Sequence, residues 1–329
     1  METWERESFL PGDLQEELGE LSTDIREVDP STLKEEGAWE KWLEANRPEI
    51  LISSWMTPRL PEDLRERVPE LGYVCHLTGS VKGLVPDSLI EEGLQVTNWG
   101  NSISRTVAEC GLMLAIGTLR RASRWTVEMH FHNGWKERKT EQFGSLFERR
   151  VGLHGFGAIS RELCKLLAPF KVSIATYSPS VPDALLEEYG VKRAPDLETL
   201  FSENDVIFEL AALTPKNVGI VTEELLRSIP RGGVFVNIGR GAVVDEAALA
   251  RVARDGHIQI GLDVYATEPL PEDSPLRGMT QVLMLPHLGG PTVDRRRDAT
   301  RLGIDNIRRY LAGEELESRI TADVYKRST

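Results

Sequence analysis

Along the chain from Glu49 onward, short apolar runs alternate with amphipathic stretches. The apolar runs predict strands over 50–55, 73–77, 151–153, 172–177, 206–210, 233–238, 258–262 and 282–285. Helical spacing lies between most of them, over 158–167, 183–189 and 246–254 for example. Strand and helix alternating in this way predict parallel βαβ units and an α/β fold. Two segments break the rhythm. Residues 104–125 form a long run with helical spacing and small residues, suited to packing between domains or subunits. Residues 292–311 predict a long Arg-rich helix whose Arg295–Arg297 triplet reads as a solvated face.

One strand ending stands out. In VNIGRGAVVDEAAL, residues 236–249, the apolar run stops at Gly239-Arg240-Gly241 before a helical pattern starts at Asp245. Arg240 is therefore exposed between two glycines at the carboxyl end of a strand, where open α/β sheets bind ligands. An anionic or polar group is expected there.

Composition narrows the class. With 329 residues the chain is long enough for about two domains. Its 39 basic and 52 acidic residues give a net charge of -13, which argues against nucleic acid or an anionic membrane as partner. The first residues carry acids and no apolar core, and the longest apolar run, near 111–119, is too short to span a bilayer; a soluble, cytoplasmic protein is expected. Cys75, Cys110 and Cys164 lie far apart in apolar surroundings and read as reduced, buried thiols, with no metal site. His130 and His132 lack a nearby acid cluster and do not change that reading.

The sequence RVGLHGFGAISREL supplies the first specific chemistry. Gly155, Gly157, Ala158 and Ile159 follow an apolar strand and open a helix. A first glycine permits the tight turn, a second admits a pyrophosphate, and amides at the helix start meet its charge. The third position is Ser160 instead of glycine, which predicts slightly looser strand–helix packing. About 20 residues on, where an acid would hold the adenosine ribose, stands Ser178. It neither grips the ribose nor repels a 2′-phosphate, and residues 179 and 180 are not basic. The expected cofactor is NAD or NADP, with NAD ahead. His154 reads as a packed residue without an acid partner.

Taken in order, the blocks LTGSVKGLV, VTNWG, TVAE, VGLHGFGAI, VFVNIGRGAVVDEAAL, GLDVYATEPLP and MLPHLGG resemble the D-isomer-specific 2-hydroxyacid dehydrogenases, over about residues 50–310. That resemblance implies two Rossmann-like, doubly wound parallel-sheet domains with the active site in the cleft. The substrate domain would be discontinuous, 1–105 plus 292–329, and the NAD(P)-binding domain would span 106–291. The resemblance further implies that Arg240 binds the carboxylate and carbonyl of a 2-oxo acid, that His287 is the acid–base catalyst, and that Glu268 is its carboxylate partner. Asp263 would hydrogen-bond the nicotinamide carboxamide. Thr106, Ile238, Gly239, Gly289 and Gly290 would join the cofactor site. The amides of Gly79, Ser80 and Val81 would form an anion nest for the substrate carboxylate. A homodimer is implied as well. Ala212 and Asn217, with Ser160 and Ser178, depart from the family pattern, and all four touch cofactor binding.

The chemistry agrees with these roles. Hydride addition to a ketone leaves an alkoxide, so a proton donor must sit beside the carbonyl oxygen. Histidine can give and recover a proton near neutrality, and a neighbouring carboxylate stabilises the protonated ring. The arginine fork fits an α-keto carboxylate. Taken singly, Arg240 could cap a surface turn, and Glu268-Pro269 and Pro286-His287 could each mark only a turn or strand end. Trp55 and Trp99 either restrict the pocket to glyoxylate- or hydroxypyruvate-sized substrates or fill the core; His76 leans to the core. The chain ends about 40 residues after His287, which disfavours long phosphoglycerate dehydrogenases but not short ones. A non-enzymatic NAD(H) sensor on the same fold is the rival reading, and the full Arg240, Glu268 and His287 set argues against it.

Overall fold

The computed structural model describes residues 1–136 and 143–327. By internal contacts the chain divides into two compact units, Met1–Ile103 with Pro291–Thr329, and Ser104–Gly290.

The first unit holds β1 (Ile50–Ser53), β2 (Tyr73–His76) and β3 (Gln95–Thr97), all parallel, in the order β1-β2-β3. Alternation along β2 sends side chains to two cores: Val74 joins Leu51, Leu64, Leu89 and Val96, whereas Tyr73 and Cys75 join Phe9, Leu77, Ala299 and Ile307. Both faces are thus covered, as a parallel sheet requires. The helix Arg296–Ala312 lies so close to β2 that a Cβ on Gly303 would sit 2.9 Å from Cys75 Sγ. Arg295 and Arg297 keep the expected solvated face in surface ion pairs, and Arg296 departs from it. Arg295 pairs with Asp298 and Arg297 with Asp13, while the Arg296 guanidinium packs 5.0 Å from the Trp55 ring and 5.6 Å from those of Trp4 and Phe9. A flat, weakly hydrated cation gains more on aromatic faces than in water. Strand β3 escaped prediction because three residues are too few to show a period.

The second unit carries β4 (Arg150–His154), β5 (Ser173–Tyr177), β6 (Lys192–Arg193), β7 (Val206–Glu209), β8 (Val234–Asn237), β9 (Gln259–Leu262) and β10 (Val282–Met284). All pair in parallel in the order β10-β9-β8-β7-β4-β5-β6. β7 and β8 are buried throughout, which explains their continuous apolar runs. The chain moves outward from β4 to β6, then returns to the other side of β4 at β7. That reversal opens a crevice at the carboxyl ends of β4 and β7. The helices Ala158–Leu167 and Glu246–Arg254 occupy the residues their periodicity predicted.

The run 104–125 is not one helix. It breaks into Ser104–Leu119 and Ala122–Phe131, with Arg121 left-handed at φ 54°. Nor are its small residues reserved for another domain: Gly111 lies against Ile238, Gly117 against Leu283, and Thr118 against Gly261. The first helix spends its apolar face on its own sheet. Among the described residues no helix is long and apolar enough to cross a membrane.

Candidate active site

Two glycines place Arg240 by close approach, and neither needs positive φ. A Cβ on Gly239 would meet Glu209 O at 3.1 Å and Leu210 Cα at 3.3 Å, at the end of β7. A Cβ on Gly241 would collide with the backbone of Tyr265 and Ala266. Asn237 ties the turn: its Oδ1 accepts from Gly239 N at 3.1 Å and its Nδ2 donates to Arg240 O at 3.2 Å. The Arg240 side chain is exposed and donates from Nη1 to Gly239 O at 2.8 Å. Protein around its base holds the guanidinium below the ordinary arginine value, while the Glu268 charge pulls upward.

The close packing against residues 265–266 matters because Glu268 follows. Its Oε1 accepts from Tyr265 N at 2.9 Å, and its Oε2 lies 2.5 Å from His287 Nδ1. A carboxylate only accepts, so Nδ1 carries the proton and Nε2 is left for other work. The imidazole is half exposed and the carboxylate one-third exposed. His287 is left-handed at φ 55°, a conformation that must be held from outside. Asp263 does so: its backbone oxygen accepts from His287 N at 2.9 Å, and its two carboxylate oxygens accept from Leu288 N at 2.7 Å and Gly289 N at 2.8 Å. Gly289 is required, since a Cβ there would lie 2.6 Å from Asp263 Oδ2. Burial pushes the Asp263 carboxyl up, with the two amides and His287 opposing. Both oxygens being engaged, the role visible for Asp263 is to hold the 287–289 turn. Gly290 follows in open space.

At the switch point Gly155 has φ 92°, and a Cβ there would stand 3.0 Å from the backbone of Leu210 and Ala211. Gly157, the N-cap, faces open space and leaves the amides of the following turn, Ala158 and Ile159 included, unobstructed by a side chain. This is a cradle that a diphosphate fits and a Cβ would obstruct. Ser160 is buried and donates from Oγ to Gly155 O at 2.9 Å, so it ties the loop to the helix instead of loosening it. His154 is buried as expected, but it does have an acid partner: Glu209 Oε2 lies 2.6 Å from its Nδ1, and Glu209 Oε1 accepts from Ala211 N. The two residues are 55 apart in sequence and register partners on β4 and β7. The departures at 212 and 217 knit one loop, with Asn217 Nδ2 donating to Ala212 O and Asn217 Oδ1 accepting from Thr214. Thr106 sits half-buried in the first turn of Ser104–Leu119, and Ile238 is buried beneath Gly239.

Other predicted residues belong to the first unit. In the loop after β2, Gly79 lacks positive φ; its glycine serves the Trp99 indole, which would lie 2.7 Å from a Cβ there. Ser80 is exposed and Val81 buried. Trp99 is thereby partly committed to packing, and Trp55 stacks on Trp4 at 6.2 Å while remaining exposed. His76 is core, bonded to Ser53 and Thr78. Burial drops it to about 4. Burial also raises the thiols, Cys75 to about 11 and Cys110 and Cys164 to about 12, which suits unreactive cysteines. No group of three metal-binding side chains occurs among the described residues.

Comparison with known proteins agrees with this geometry. A family model described as D-isomer specific 2-hydroxyacid dehydrogenase, NAD binding domain, matches residues 112–289. A glyoxylate/hydroxypyruvate reductase B of Pectobacterium atrosepticum is 31% identical over 272 residues, which is 82% of this chain and 84% of that protein. A D-3-phosphoglycerate dehydrogenase of Mycobacterium leprae is 30% identical over 78% of this chain but 48% of that protein. The chain thus spans about half the length of that relative. The solved NADPH-dependent glyoxylate/hydroxypyruvate reductase of Sinorhizobium meliloti superposes with a TM-score of 0.67, is 28% identical, and covers 85% of this chain and 86% of that one. The resemblance read from the ordered motifs holds, and the chain belongs to the D-isomer-specific 2-hydroxyacid dehydrogenase family, with the NAD-binding domain of that family in its second unit.

Proposed function

We propose that the protein is an NAD(P)-dependent reductase of a small 2-oxo acid of the glyoxylate or hydroxypyruvate class. The observation that carries this reading is the 2.5 Å contact of Glu268 with His287 Nδ1, which fixes one proton on Nδ1 and leaves Nε2 of a half-exposed ring to carry and give a second. Arg240 binds the substrate carboxylate and carbonyl oxygen by its planar fork. The residues fit the nucleotide: Gly155, Gly157, Ala158 and Ile159 hold its diphosphate, and Ile238, Gly239 and the Asp263-held turn at 287–290 line the nicotinamide end. Bound nicotinamide supplies the hydride. His287 gives its Nε2 proton to the oxygen that becomes the hydroxyl, and Glu268 stabilises the protonated ring before that transfer. In the reverse direction the same nitrogen accepts the proton.

Following nicotinamide absorbance with NADH and NADPH in parallel, against glyoxylate, hydroxypyruvate, its phosphate ester, pyruvate and longer 2-oxo acids, tests the reading. Turnover is expected with glyoxylate or hydroxypyruvate. Cofactor binding without reduction of any of these acids would overturn it. A second copy of this chain is the proposed partner, supported by the exposed Met129 and Phe131 at the end of the Ala122–Phe131 helix and the exposed Trp135 after it. Light scattering should return a dimer mass. Three unpaired, unreactive thiols favour work in a reducing compartment such as the cytoplasm.

A further inference from the structure

Ser178 follows β5, and the residues next to it, Pro179 and Ser180, carry no charge. The sheet supplies one. β6 pairs with β5 in the register Thr176↔Arg193, which carries the Arg193 side chain back over the end of β5. Its Nη1 donates to Ser178 O at 2.9 Å and its Nη2 to Val181 O at 2.6 Å. Around this guanidinium lies an open cavity of about 490 Å³, lined by Tyr177, Ser178, Pro179, Asp183, Arg193 and Pro195 among others. The Ser178 hydroxyl, the proline rings and the arginine make a corner at the end of β5. That is where the adenosine ribose lies when a dinucleotide occupies the glycine loop.

We propose that the protein prefers the phosphorylated cofactor, and that Arg193, delivered by β6, recognises its 2′-phosphate together with Ser178. The inference rests on the dinucleotide reading above and adds the identity of the dinucleotide. Arg193 is not idle in the absence of phosphate: Nε and Nη2 both donate to Asp183 Oδ1, at 2.8 and 2.5 Å. Asp183 is the more exposed of the two, 77% against 34%. The carboxylate stands in for the phosphate and yields to it, because a dianion with three acceptor oxygens bonds a guanidinium more strongly than one carboxylate oxygen does. Asp183 could instead serve as the missing ribose acid, which would favour the unphosphorylated cofactor. The two roles predict opposite effects of Asp183→Asn.

The test is a binding titration of the full chain by cofactor fluorescence and calorimetry, with NADPH, NADH, adenosine 2′,5′-bisphosphate and 5′-AMP as probes. The wild-type protein should bind NADPH at least about tenfold more tightly than NADH. Arg193→Ala should weaken NADPH and the bisphosphate by about 10- to 100-fold, the range for losing a charge-assisted hydrogen bond, with NADH and 5′-AMP changed by less than about threefold. Arg193→Lys should fall between the two. Asp183→Asn should tighten NADPH. Equal weakening of both cofactors in Arg193→Ala would make Arg193 only a brace of the 178–183 loop and overturn the proposal. A wild-type preference for NADH, or weakened NADH binding in Asp183→Asn, would overturn it as well. Binding needs no turnover, so NADPH selectivity without reduction of any oxo acid would reject the proposed reaction and leave this inference standing.

Discussion

The second unit contains two histidine–glutamate pairs that are nearly identical as chemistry and opposite as environment. His287 and Glu268 meet at 2.5 Å with side chains 50% and 33% exposed; His154 and Glu209 meet at 2.6 Å with side chains 7% and 0% exposed. Both use Nδ1 and Oε2, and both carboxylates take a backbone amide on the other oxygen. What separates them is the second ring nitrogen. His287 is half exposed, which leaves Nε2 for the substrate oxygen of the proposed reaction; His154 is sealed with Glu209 at the paired ends of β4 and β7. A histidine–carboxylate pair is therefore not a catalytic device until access is added. The sealed pair works as a strut at the switch point, fixing the ends of the two strands from which the cofactor crevice opens. His76, in the first unit, completes the series: it is buried, and its ring nitrogens meet the hydroxyls of Ser53 and Thr78 instead of a carboxylate.

Glu209→Ala leaves a buried imidazole and the Ala211 amide without their acceptor, and should cost about 3–5 kcal/mol of stability, read from denaturant unfolding. The turnover of the molecules that remain folded should fall far less than for a variant at His287. A surface-like loss below about 1 kcal/mol would mean the pair is no strut.

His76 gives the next effect. Its value is depressed from the ordinary 6.5 to about 4, so between those limits the unfolded chain holds a proton that the folded chain lacks. The associated stability is complete above the ordinary histidine value and is lost as pH falls through about 4, amounting to no more than about 3 kcal/mol. The unfolding midpoint of the wild-type protein should therefore drop more steeply on acidification than that of His76→Asn. Parallel profiles would contradict the assignment.

Glu268→Gln is the smallest of the three. It keeps the shape of the pair but stabilises the protonated ring less, so kcat should fall about 10- to 100-fold with cofactor affinity unchanged. An unchanged pH profile in this variant would reduce Glu268 to a positioning group.

How legible all this was depends on distance along the chain. Arg240 between its glycines, the loop at 155–159 and the ordered blocks around Glu268 and His287 are contiguous in sequence, and the structure gathers Arg240, Glu268 and His287 around the Tyr265–Ala266 backbone. The reasons for some residues were hidden even there. Gly79 serves Trp99 and not a left-handed turn, and Gly241 serves the backbone of Tyr265. What could not be read was set by register. Glu209 meets His154 and Arg193 meets Ser178 only because parallel strands align them, and β6 is two residues long, below any periodic signal. The charge beside Ser178 comes not from residues 179 and 180 but from Arg193. The break at Arg121 was equally invisible, since helical spacing runs through it.

In the proposed reaction the exposed pair, and not the sealed one, moves the substrate proton. The most direct test compares kcat of His287→Ala with that of His154→Ala at saturating cofactor, each corrected for the folded fraction. His287→Ala should lose about 10²- to 10⁴-fold with cofactor binding retained, and His154→Ala less than about tenfold. Turnover that survives in His287→Ala, or that vanishes equally in both variants, would contradict it.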